Sequence, residues 1–433
     1  MINNKLHAIL FVSLLILFFS CSSTPLPKSG SVSVPEDFFG MVHAGERKSS
    51  EEYSLLDEMG VEWILATFYW SQMEGKQGEF DFSERDEYVD AAIKNNKKIV
   101  AVLAYDTPWL YPDGKTRRNI TPDNLPHFLN FVEKVIDHYR DRVDVWEIWN
   151  EPNILFWKGT RKDFFALSIA TAEKIREIHP EAYIIGGAYW RTPKGFIKAM
   201  NKAGGMKNLD GIAFHPYALN PVGSMQVYDK FIKVLDDINF NGPVWITEVG
   251  YPTGGWPVIK VHEEKLPSYV VKTIAGAAAR DAKVLLWYEL FDGYNYGEIP
   301  AKKLSLTRIT ERTYGLTYPD YKRKNGAWAY KLCARFLPGS RYVPELPAWQ
   351  KKPSNIVSFC FLGGSSGYNT LILWNDRNRL GRAELQLSSQ AIIHDISNGK
   401  ERAFTPNTVL EIGNVPLIIT WQGNEIPRLS LKK

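Results

Sequence analysis

Cysteine is scarce in this chain, which has three among 433 residues: Cys21, Cys333 and Cys360. So few cysteines exclude a fold held together by a framework of disulfides. No run of lysine and arginine resembles a nucleic-acid-binding patch, and the net charge of +4 is small for this length, so we expect no nucleic-acid partner. No cluster of histidine, cysteine and aspartate has the spacing of metal ligands, and we expect neither a metal nor a cofactor.

The longest apolar run lies near the N-terminus, where Lys5 precedes the apolar residues 8–19. This run is too short to cross a bilayer comfortably as a helix, and we interpret residues 1–20 as a signal peptide. It ends in Phe18-Phe19-Ser20-Cys21, which resembles a bacterial lipoprotein cleavage site, although Phe18 replaces the usual aliphatic residue. We therefore expect Cys21 to carry lipid, residues 21–35 to form a polar tether, and the protein to lie in the cell envelope, anchored to a bacterial membrane. An ordinary secreted protein is the alternative.

From about residue 36, apolar runs of strand length alternate with helical periodicity, which is typical of βα units and a parallel sheet. One predicted helix has an apolar stripe formed by Phe128, Phe131, Val132, Val135, Ile136 and Tyr139. Ser49 with Glu52 resembles a capping box at the start of the first helix, Gly60 suits its C-terminal cap, and Ser83 is expected to open the second helix. The eight predicted strands are residues 38–43, 61–68, 98–104, 143–149, 183–188, 211–215, 244–247 and 284–288.

Eight such units in about 300 residues favour a closed (β/α)8 barrel, assigned to residues 36–338. No glycine-rich phosphate loop follows the first strand, which argues against a dinucleotide-binding fold. Beyond Pro338 short alternating strands replace the helices, and Asn398-Gly399 indicates a hairpin. Residues 339–433 are therefore predicted to form a small C-terminal β-sandwich, with strands at 355–361, 370–374, 383–387, 391–395, 409–412 and 417–421. The sequence gives no indication of an oligomeric state.

Two of the predicted barrel strands end close to a glutamate that is followed by a nearby proline. Residues 145–149 lead to Glu151, and residues 244–247 lead to Glu248. Parallel barrels build their active sites at the C-terminal ends of the strands, so both carboxylates are expected to meet there. A facing pair of carboxylates is the working part of a glycosidase. A single glutamate of this kind is more often a solvated charge at a strand end, and the argument depends on the pair.

The sequence Trp149-Asn150-Glu151-Pro152, together with Thr247-Glu248, resembles the signatures of the large clan of retaining (β/α)8-barrel glycoside hydrolases. The barrel with its β-sandwich is most similar to glycoside hydrolase family 39, the β-xylosidase and iduronidase group. The resemblance implies that Glu151 is the acid/base and Glu248 the nucleophile. It further implies substrate contacts for several residues at strand ends: a sugar-contacting His215, Tyr217 bonded to the nucleophile, and a stacking Trp287.

Further candidates for the cleft lie near other strand ends. Asn150 is placed to bond the hydroxyl at C2 of the sugar, and His43 and Trp109 are added to the predicted substrate-binding residues. Many members of the clan carry an arginine near the end of the second strand that bonds the nucleophile, and Leu65 occupies the expected place. Either His43 or Arg47 substitutes for that cation, or the site is catalytically weak.

We therefore predict a retaining glycosidase that cleaves an oligo- or polysaccharide by double displacement. In such an enzyme Glu151 is protonated and Glu248 ionised at the working pH, with the two carboxyl groups about 5–5.5 Å apart. The alternative is a weak or inactive carbohydrate-binding surface lipoprotein on the same scaffold. A purely structural lipoprotein has no need of both glutamates. Substrate identity and exo or endo action are decided by loop shapes, which the sequence does not give.

Overall fold

A computed structural model describes residues 30–293, 305–349, 353, 355–377, 380–387, 389–405 and 409–432. The predicted signal peptide, Cys21 and most of the predicted tether lie outside these described residues. Within them, no helix combines the length and the apolar character needed to cross a membrane.

Eight parallel strands close into a barrel, which confirms the predicted fold class. Strand β2 pairs with both β3 and β9, so the sheet has no free edge. The predicted strand positions are correct to within a few residues. A strand β1, Val32–Ser33, precedes the barrel. The barrel strands are β2 Phe39–Val42, β3 Trp63–Tyr69, β4 Lys98–Ala104, β5 Val145–Ile148, β6 Tyr183–Trp190, β7 Gly211–His215, β8 Val244–Val249 and β9 Ala282–Trp287.

Helices follow the strands and cover the outside of the barrel. The apolar stripe predicted for the helix before β5 is confirmed, since all six of its side chains are fully buried. Burial of each large apolar side chain contributes about 1.5–3 kcal/mol relative to exposure. The helices are α1 Ser50–Met59, α2 Trp70–Met73, α3 Ser83–Lys94, α4 Leu125–Tyr139, α5 Arg161–Ile178, α6 Lys194–Lys202, α7 Pro221–Asp237, α8 Leu266–Ala278, α9 Leu306–Glu311 and α10 Asn325–Phe336, with short 3-10 turns at Pro108–Leu110 and Glu263–Lys265.

The predicted helix caps are formed in part. Ser49 accepts a hydrogen bond from the backbone N–H of Glu52, and Gly60 closes α1 in the left-handed conformation with φ 71°. The side chain of Glu52 does not complete a capping box, because its oxygens accept hydrogen bonds from the N–H groups of Gly45 and Arg47. Ser83 is the first residue of α3, preceded by the N-cap Phe82, and its N–H donates to Oδ1 of Asp81 at 2.9 Å.

The C-terminal residues form two packed sheets, as predicted, which are antiparallel except where residues 348–349 pair in parallel with residues 428–429. Several short strands were not predicted. One of them, β16 (Glu401–Phe404), completes the hairpin at Asn398-Gly399 by pairing with β15 (Ala391–His394). Strand β1, at the end of the predicted tether, pairs with β10 in this domain. Cys333 and Cys360 are both buried free thiols. The strands are β10 Arg341–Tyr342, β11 Ala348–Trp349, β12 Ile356–Leu362, β13 Asn369–Asn375, β14 Gly381–Gln386, β15 Ala391–His394, β16 Glu401–Phe404, β17 Val409–Ile412, β18 Leu417–Trp421 and β19 Arg428–Lys432.

Candidate active site

Three titratable side chains meet where β5, β7 and β8 end: Glu151, His215 and Glu248. One carboxylate oxygen of each glutamate and one ring nitrogen of His215 all lie within 4.8 Å of one another. The oxygens of the two carboxylates are thus closer than the separation of about 6.5–9.5 Å that leaves room for a water in inverting glycosidases. The predicted meeting of the two glutamates at one end of the barrel is what the structure shows.

The backbone after β5 turns sharply to bring Glu151 into the mouth of the barrel. Trp149 and Glu151 both have positive φ, 65° and 42°, and the N–H of Glu151 donates to the carbonyl oxygen of Ala188 at 3.0 Å. Such left-handed conformations at residues other than glycine cost about 1–3 kcal/mol and persist where surrounding structure fixes them. The indole N–H of Trp149 supplies part of that constraint, donating to the carbonyl oxygen of Phe156 at 3.0 Å.

Glu151 is the more buried carboxyl group, with 5% of the residue exposed. Burial raises the pKa of Glu151 to about 8, because the charged form loses its hydration. Its Oε1 lies 2.7 Å from Nδ1 of His215. Burial lowers the pKa of His215, more than the charge of Glu248 raises it, so this imidazole is neutral at pH 7. Glu151 is therefore a protonated acid in the working range, as a general acid requires.

Glu248 has different surroundings, with 18% of its side chain exposed. The phenol of Tyr217 donates to its Oε2 at 3.0 Å, and Nδ1 of His215 lies 3.6 Å from the same oxygen. Burial raises the pKa of Glu248 overall and a negative charge on Glu151 adds to the rise, whereas His215, His43 and the hydrogen bond from Tyr217 oppose it. The predicted contact between Tyr217 and the nucleophile candidate is present.

His43 is the candidate for the cation expected near the nucleophile, because its charge lowers the pKa of Glu248. His43 Nδ1 lies 2.8 Å from Oε2 of the buried Glu289, and although burial lowers its pKa, the hydrogen bond and charge of Glu289 raise it overall. Arg47 does not substitute, because its guanidinium lies 3.6 Å from the ring centroid of Phe291 and donates to a backbone carbonyl. Leu65 is not at the strand end, since β3 continues to Tyr69 and Leu65 is a buried mid-strand residue paired with Val42 and Val100. Leu65 is therefore not the position from which an arginine would reach the nucleophile, and the residue that ends β3, Tyr69, is not an arginine either.

Asn150 directly precedes Glu151 in the chain and is half-buried. Its amide donates to the phenol oxygen of Tyr105 at 3.2 Å. The guanidinium of Arg118 lies 5.3 Å from the ring centroid of Tyr105 and 4.5 Å from that of Phe156. Asn150 is thus held by Tyr105, whose ring in turn lies beside the guanidinium of Arg118.

Two of the predicted sugar contacts, Trp287 and His215, are buried in the structure. Trp287 is fully buried and packs against Tyr251, so it offers no ring face to a ligand. The half-buried ring at this strand end is the next residue, Tyr288, whose centroid lies 5.4 Å from that of His43 and 5.2 Å from that of Tyr314. Trp109 is half-buried and held by its indole N–H, which donates to the carbonyl oxygen of Glu74 at 2.9 Å. His215 is 1% exposed and contacts the two carboxylates, not solvent.

A polar cavity of about 140 Å³ adjoins His43 at the ends of β2 and β3. Its size and its polar walls suit the hydroxyls of a sugar. The lining residues are His43, Glu46, Thr67, Tyr69, Gln72, Glu84 and Arg85.

The three groups of the carboxylate cluster are also close enough to hold a metal ion. We do not assign a metal to them, because Nδ1 of His215 is already within hydrogen-bond distance of Glu151 and the phenol of Tyr217 donates to Glu248. These contacts suit proton transfer and nucleophilic attack, in which one carboxyl is neutral and the other charged.

Comparisons with known proteins agree with the predicted resemblance. A model of glycosyl hydrolase family 10 matches residues 47–171, a segment that includes Glu151. A chloroplastic galactolipid galactosyltransferase of Arabidopsis thaliana is 25% identical over 174 residues, which are 34% of this chain and 26% of that protein. The chain thus spans about a quarter of the length of this curated relative.

Solved structures match over nearly the whole chain. A family 39 glycoside hydrolase from Bacteroides cellulosilyticus has a TM-score of 0.71 at 20% identity, covering 90% of this chain and 81% of that one. A monomeric β-xylosidase from Caulobacter crescentus has a TM-score of 0.63 at 16% identity, covering 92% of this chain and 99% of that one. These likenesses confirm the fold, a barrel followed by a β-sandwich, as that of the predicted group.

Proposed function

We propose that this protein is a retaining glycoside hydrolase that cleaves an O-glycosidic bond of a carbohydrate by double displacement. The observation that carries the proposal is the pairing of unlike carboxyl groups within 4.8 Å, a buried Glu151 with its pKa raised to about 8 and a Glu248 bonded by Tyr217. Burial raises the pKa of both carboxyls, but the hydrogen bond from Tyr217 favours the ionised form of Glu248. A neutral carboxyl beside an ionised one is suited to acid and nucleophile roles.

In the first step Oε2 of Glu248, or its second oxygen, attacks the anomeric carbon of the sugar. Glu151 gives its proton to the departing glycosidic oxygen, so the leaving group departs as a neutral alcohol. A covalent glycosyl-enzyme ester forms at Glu248, and Glu151 is left as a carboxylate beside the neutral His215. The N–H groups and hydroxyls around the sugar, including the amide of Asn150, hold the ring while positive charge develops on it.

In the second step the roles of Glu151 reverse. Its carboxylate takes a proton from a water that attacks the anomeric carbon, and the ester bond to Glu248 breaks. Glu248 leaves as a carboxylate, stabilised by the Tyr217 hydroxyl and the charge of His43. The product keeps the anomeric configuration of the substrate, since each step inverts it once.

The alternative function, carbohydrate binding without turnover, depended on a missing cation at Leu65. Leu65 lies inside the barrel wall and His43 supplies charge to Glu248, so that argument no longer favours a decayed enzyme. Binding alone also does not account for a buried carboxyl kept 2.7 Å from His215.

Turnover of activated aryl glycosides tests the proposal. β-Xylosides come first, because a solved protein of this fold is a β-xylosidase, with β-glucosides and β-galactosides beside them. We expect Glu248→Ala to lose turnover of every substrate. Glu151→Ala should keep its first step on substrates with good leaving groups and regain turnover when azide replaces water as the nucleophile. Asp144→Asn, at the other end of β5, is the matched control and should keep parental activity.

Glycan binding without turnover of any glycoside in the panel, unchanged in both glutamate variants, would establish the binding alternative instead. Proton NMR of the first-formed product distinguishes retention from inversion.

We also propose that the mature protein is a lipoprotein anchored to a bacterial membrane through Cys21. The support is the sequence alone: an apolar run that ends in Phe18-Phe19-Ser20-Cys21, followed by a polar stretch. Such an anchor would hold the enzyme at the cell envelope, where it meets polymeric or cell-surface glycans.

A further inference from the structure

A buried carboxyl group that the double displacement does not use lies beneath the active site. Glu147, on β5, is 1% exposed, and its Oε1 lies 3.2 Å from Oγ1 of Thr247. Its Oε2 is buried and has no hydrogen-bond partner among the described residues. An ionised carboxylate in such a place would lose its hydration and would have the Thr247 hydroxyl as its one hydrogen-bond donor among the described residues.

Glu147 connects to the acid candidate through two more buried side chains. Thr247 Oγ1 lies 3.1 Å from Nε2 of His215, and Nδ1 of the same ring lies 2.7 Å from Oε1 of Glu151. Thr247 and His215 are 0% and 1% exposed, so solvent does not interrupt the chain. We call the chain Glu147, Thr247 and His215 the relay.

We propose that the relay fixes which oxygen of Glu151 carries the transferable proton. Glu147 is a positioning residue in this account, since it acts on Glu151 through Thr247 and His215. The inference rests on the proposed function, in which Glu151 is the general acid.

The direction of the hydrogen bonds follows from the state of Glu147. Burial raises the pKa of Glu147 well above its usual value, and the nearby charge of Glu248 adds to the rise, although the contact with Thr247 opposes it. A neutral Glu147 with its proton on Oε1 donates a hydrogen bond to the hydroxyl oxygen of Thr247. The Thr247 hydroxyl then donates a hydrogen bond to Nε2 of His215.

A neutral imidazole has one N–H, and with Nε2 accepting, that hydrogen is on Nδ1. Nδ1–H donates to Oε1 of Glu151, and the acidic proton of Glu151 is left for Oε2, which is free to face the glycosidic oxygen. No proton passes along the relay. When Glu151 becomes a carboxylate after the first step, the same N–H stabilises its charge.

The opposite direction would disable the acid. If Glu147 were ionised, Thr247 would donate to it and Nε2–H of His215 would donate to Thr247. Nδ1 would then accept the proton of Glu151, which would point at the imidazole and away from the substrate.

The tautomer of His215 is the direct test and needs no turnover. In protein labelled with nitrogen-15 at its eight histidines, two-bond nitrogen–proton NMR separates the two tautomers, and His215→Gln identifies the signal. We expect Nδ1–H and a bare Nε2 in the resting protein at pH 6–7. A signal from Nε2–H with a bare Nδ1 would overturn the relay, whether or not the protein is a glycosidase.

Substitutions at Glu147 give the functional test. Glu147→Leu removes the donor, and we expect turnover of substrates with poor leaving groups to fall about tenfold to hundredfold, a part of the factor that acid catalysis supplies. Substrates with dinitrophenyl leaving groups, which need little protonation, should change less than about threefold.

Glu147→Gln should keep most of the activity and the Nδ1–H tautomer. A buried amide N–H without a partner costs more than a carbonyl oxygen without one, so the amide nitrogen will face Thr247 and donate to it. Thr171→Val is the matched control for removal of a buried hydroxyl, here in α5, and should change neither readout. Equal losses for every leaving group in Glu147→Leu and Glu147→Gln, with folded protein by circular dichroism, would make Glu147 a structural residue and refute the relay. No turnover by the parent would refute the proposed glycosidase function. The NMR result on the tautomer of His215 would still decide whether the relay exists.

Discussion

The phenol oxygen of Tyr217 lies 3.0 Å from Oε2 of Glu248, so a residue after β7 holds the carboxylate at the end of β8. A hydrogen bond to a charged group is worth about 1.5–3 kcal/mol, and each 1.36 kcal/mol is a factor of ten in rate. We expect Tyr217→Phe to lower kcat/KM by about tenfold to hundredfold and to move the acid limb of its pH profile to higher pH. Tyr228→Phe, which loses a buried hydrogen bond to the carbonyl oxygen of Arg280, is the control. Equal kcat/KM in parent and Tyr217→Phe would show that the Tyr217 hydroxyl does not assist Glu248.

The raised pKa of Glu151 links stability to pH. The folded carboxyl titrates at about 8 and an unfolded one at about 4.3, so between these values the folded protein binds more protons. This contribution to stability is therefore complete below pH 4.3 and is lost as pH rises, by at most about 1.4 kcal/mol per pH unit. The side chain in Glu151→Gln cannot ionise. We therefore expect the free energy of unfolding of this variant to rise relative to that of the parent from pH 5 to pH 8. Urea unfolding at each pH measures the difference.

Glu177→Gln is the control for that comparison, because 69% of the Glu177 side chain is exposed. A constant difference in unfolding free energy between parent and Glu151→Gln across this pH range would show that Glu151 is ionised throughout.

Much of the site was predictable because its main parts are local in sequence. Glu151 and Glu248 each end an apolar run of strand length, and closure of a parallel barrel brings such ends together. The stripe of α4 was predictable for the same reason, since helical periodicity depends only on neighbours along the chain. The preference of Gly60 for the left-handed C-cap is equally local.

Register and long-range contacts were not predictable in the same way. Trp287 was predicted to stack on a sugar, but it is buried, and the half-buried ring belongs to the next residue, Tyr288. A difference of one residue at a strand end decides which side chain leaves the core. The arginine near the end of the second barrel strand was expected at Leu65, but that strand runs on for four more residues to Tyr69. Glu147 was not singled out, because it lies within an apolar run of the sequence. Its proposed role depends on Thr247, and the two residues come into contact only when β5 and β8 are part of the closed barrel. Strand β16 has three exposed residues among four, which gives no alternating pattern.

His43 should act as the cation of the nucleophile. Its pKa is raised by Glu289, so its charge is present at low pH, where Glu248 most needs it to stay ionised. We expect His43→Gln to shift the acid limb of kcat/KM to higher pH while the alkaline limb, set by Glu151, stays in place. The exposed His262→Gln is the control. A shift confined to the alkaline limb would show that His43 acts on the acid and not on the nucleophile.

Membrane attachment is expected to depend on one cysteine. Cys21→Ser should lose incorporation of labelled fatty acid and should leave the membrane fraction, because a lipid chain contributes about 0.8 kcal/mol per buried methylene group. Cys360→Ser is the control, since that thiol is buried in the C-terminal domain. Equal recovery of Cys21→Ser and parent in membranes would place the anchor elsewhere.

Covalent trapping of the nucleophile tests the central claim most directly. A glycoside fluorinated at C2 and carrying a dinitrophenyl leaving group slows the second step, so the sugar accumulates on the attacking residue. The account predicts time-dependent inactivation and a single added sugar on the peptide that contains Glu248, absent from Glu248→Gln and still formed in Glu151→Gln. Turnover of the unfluorinated glycoside with no label, or with the label on a residue other than Glu248, would contradict it.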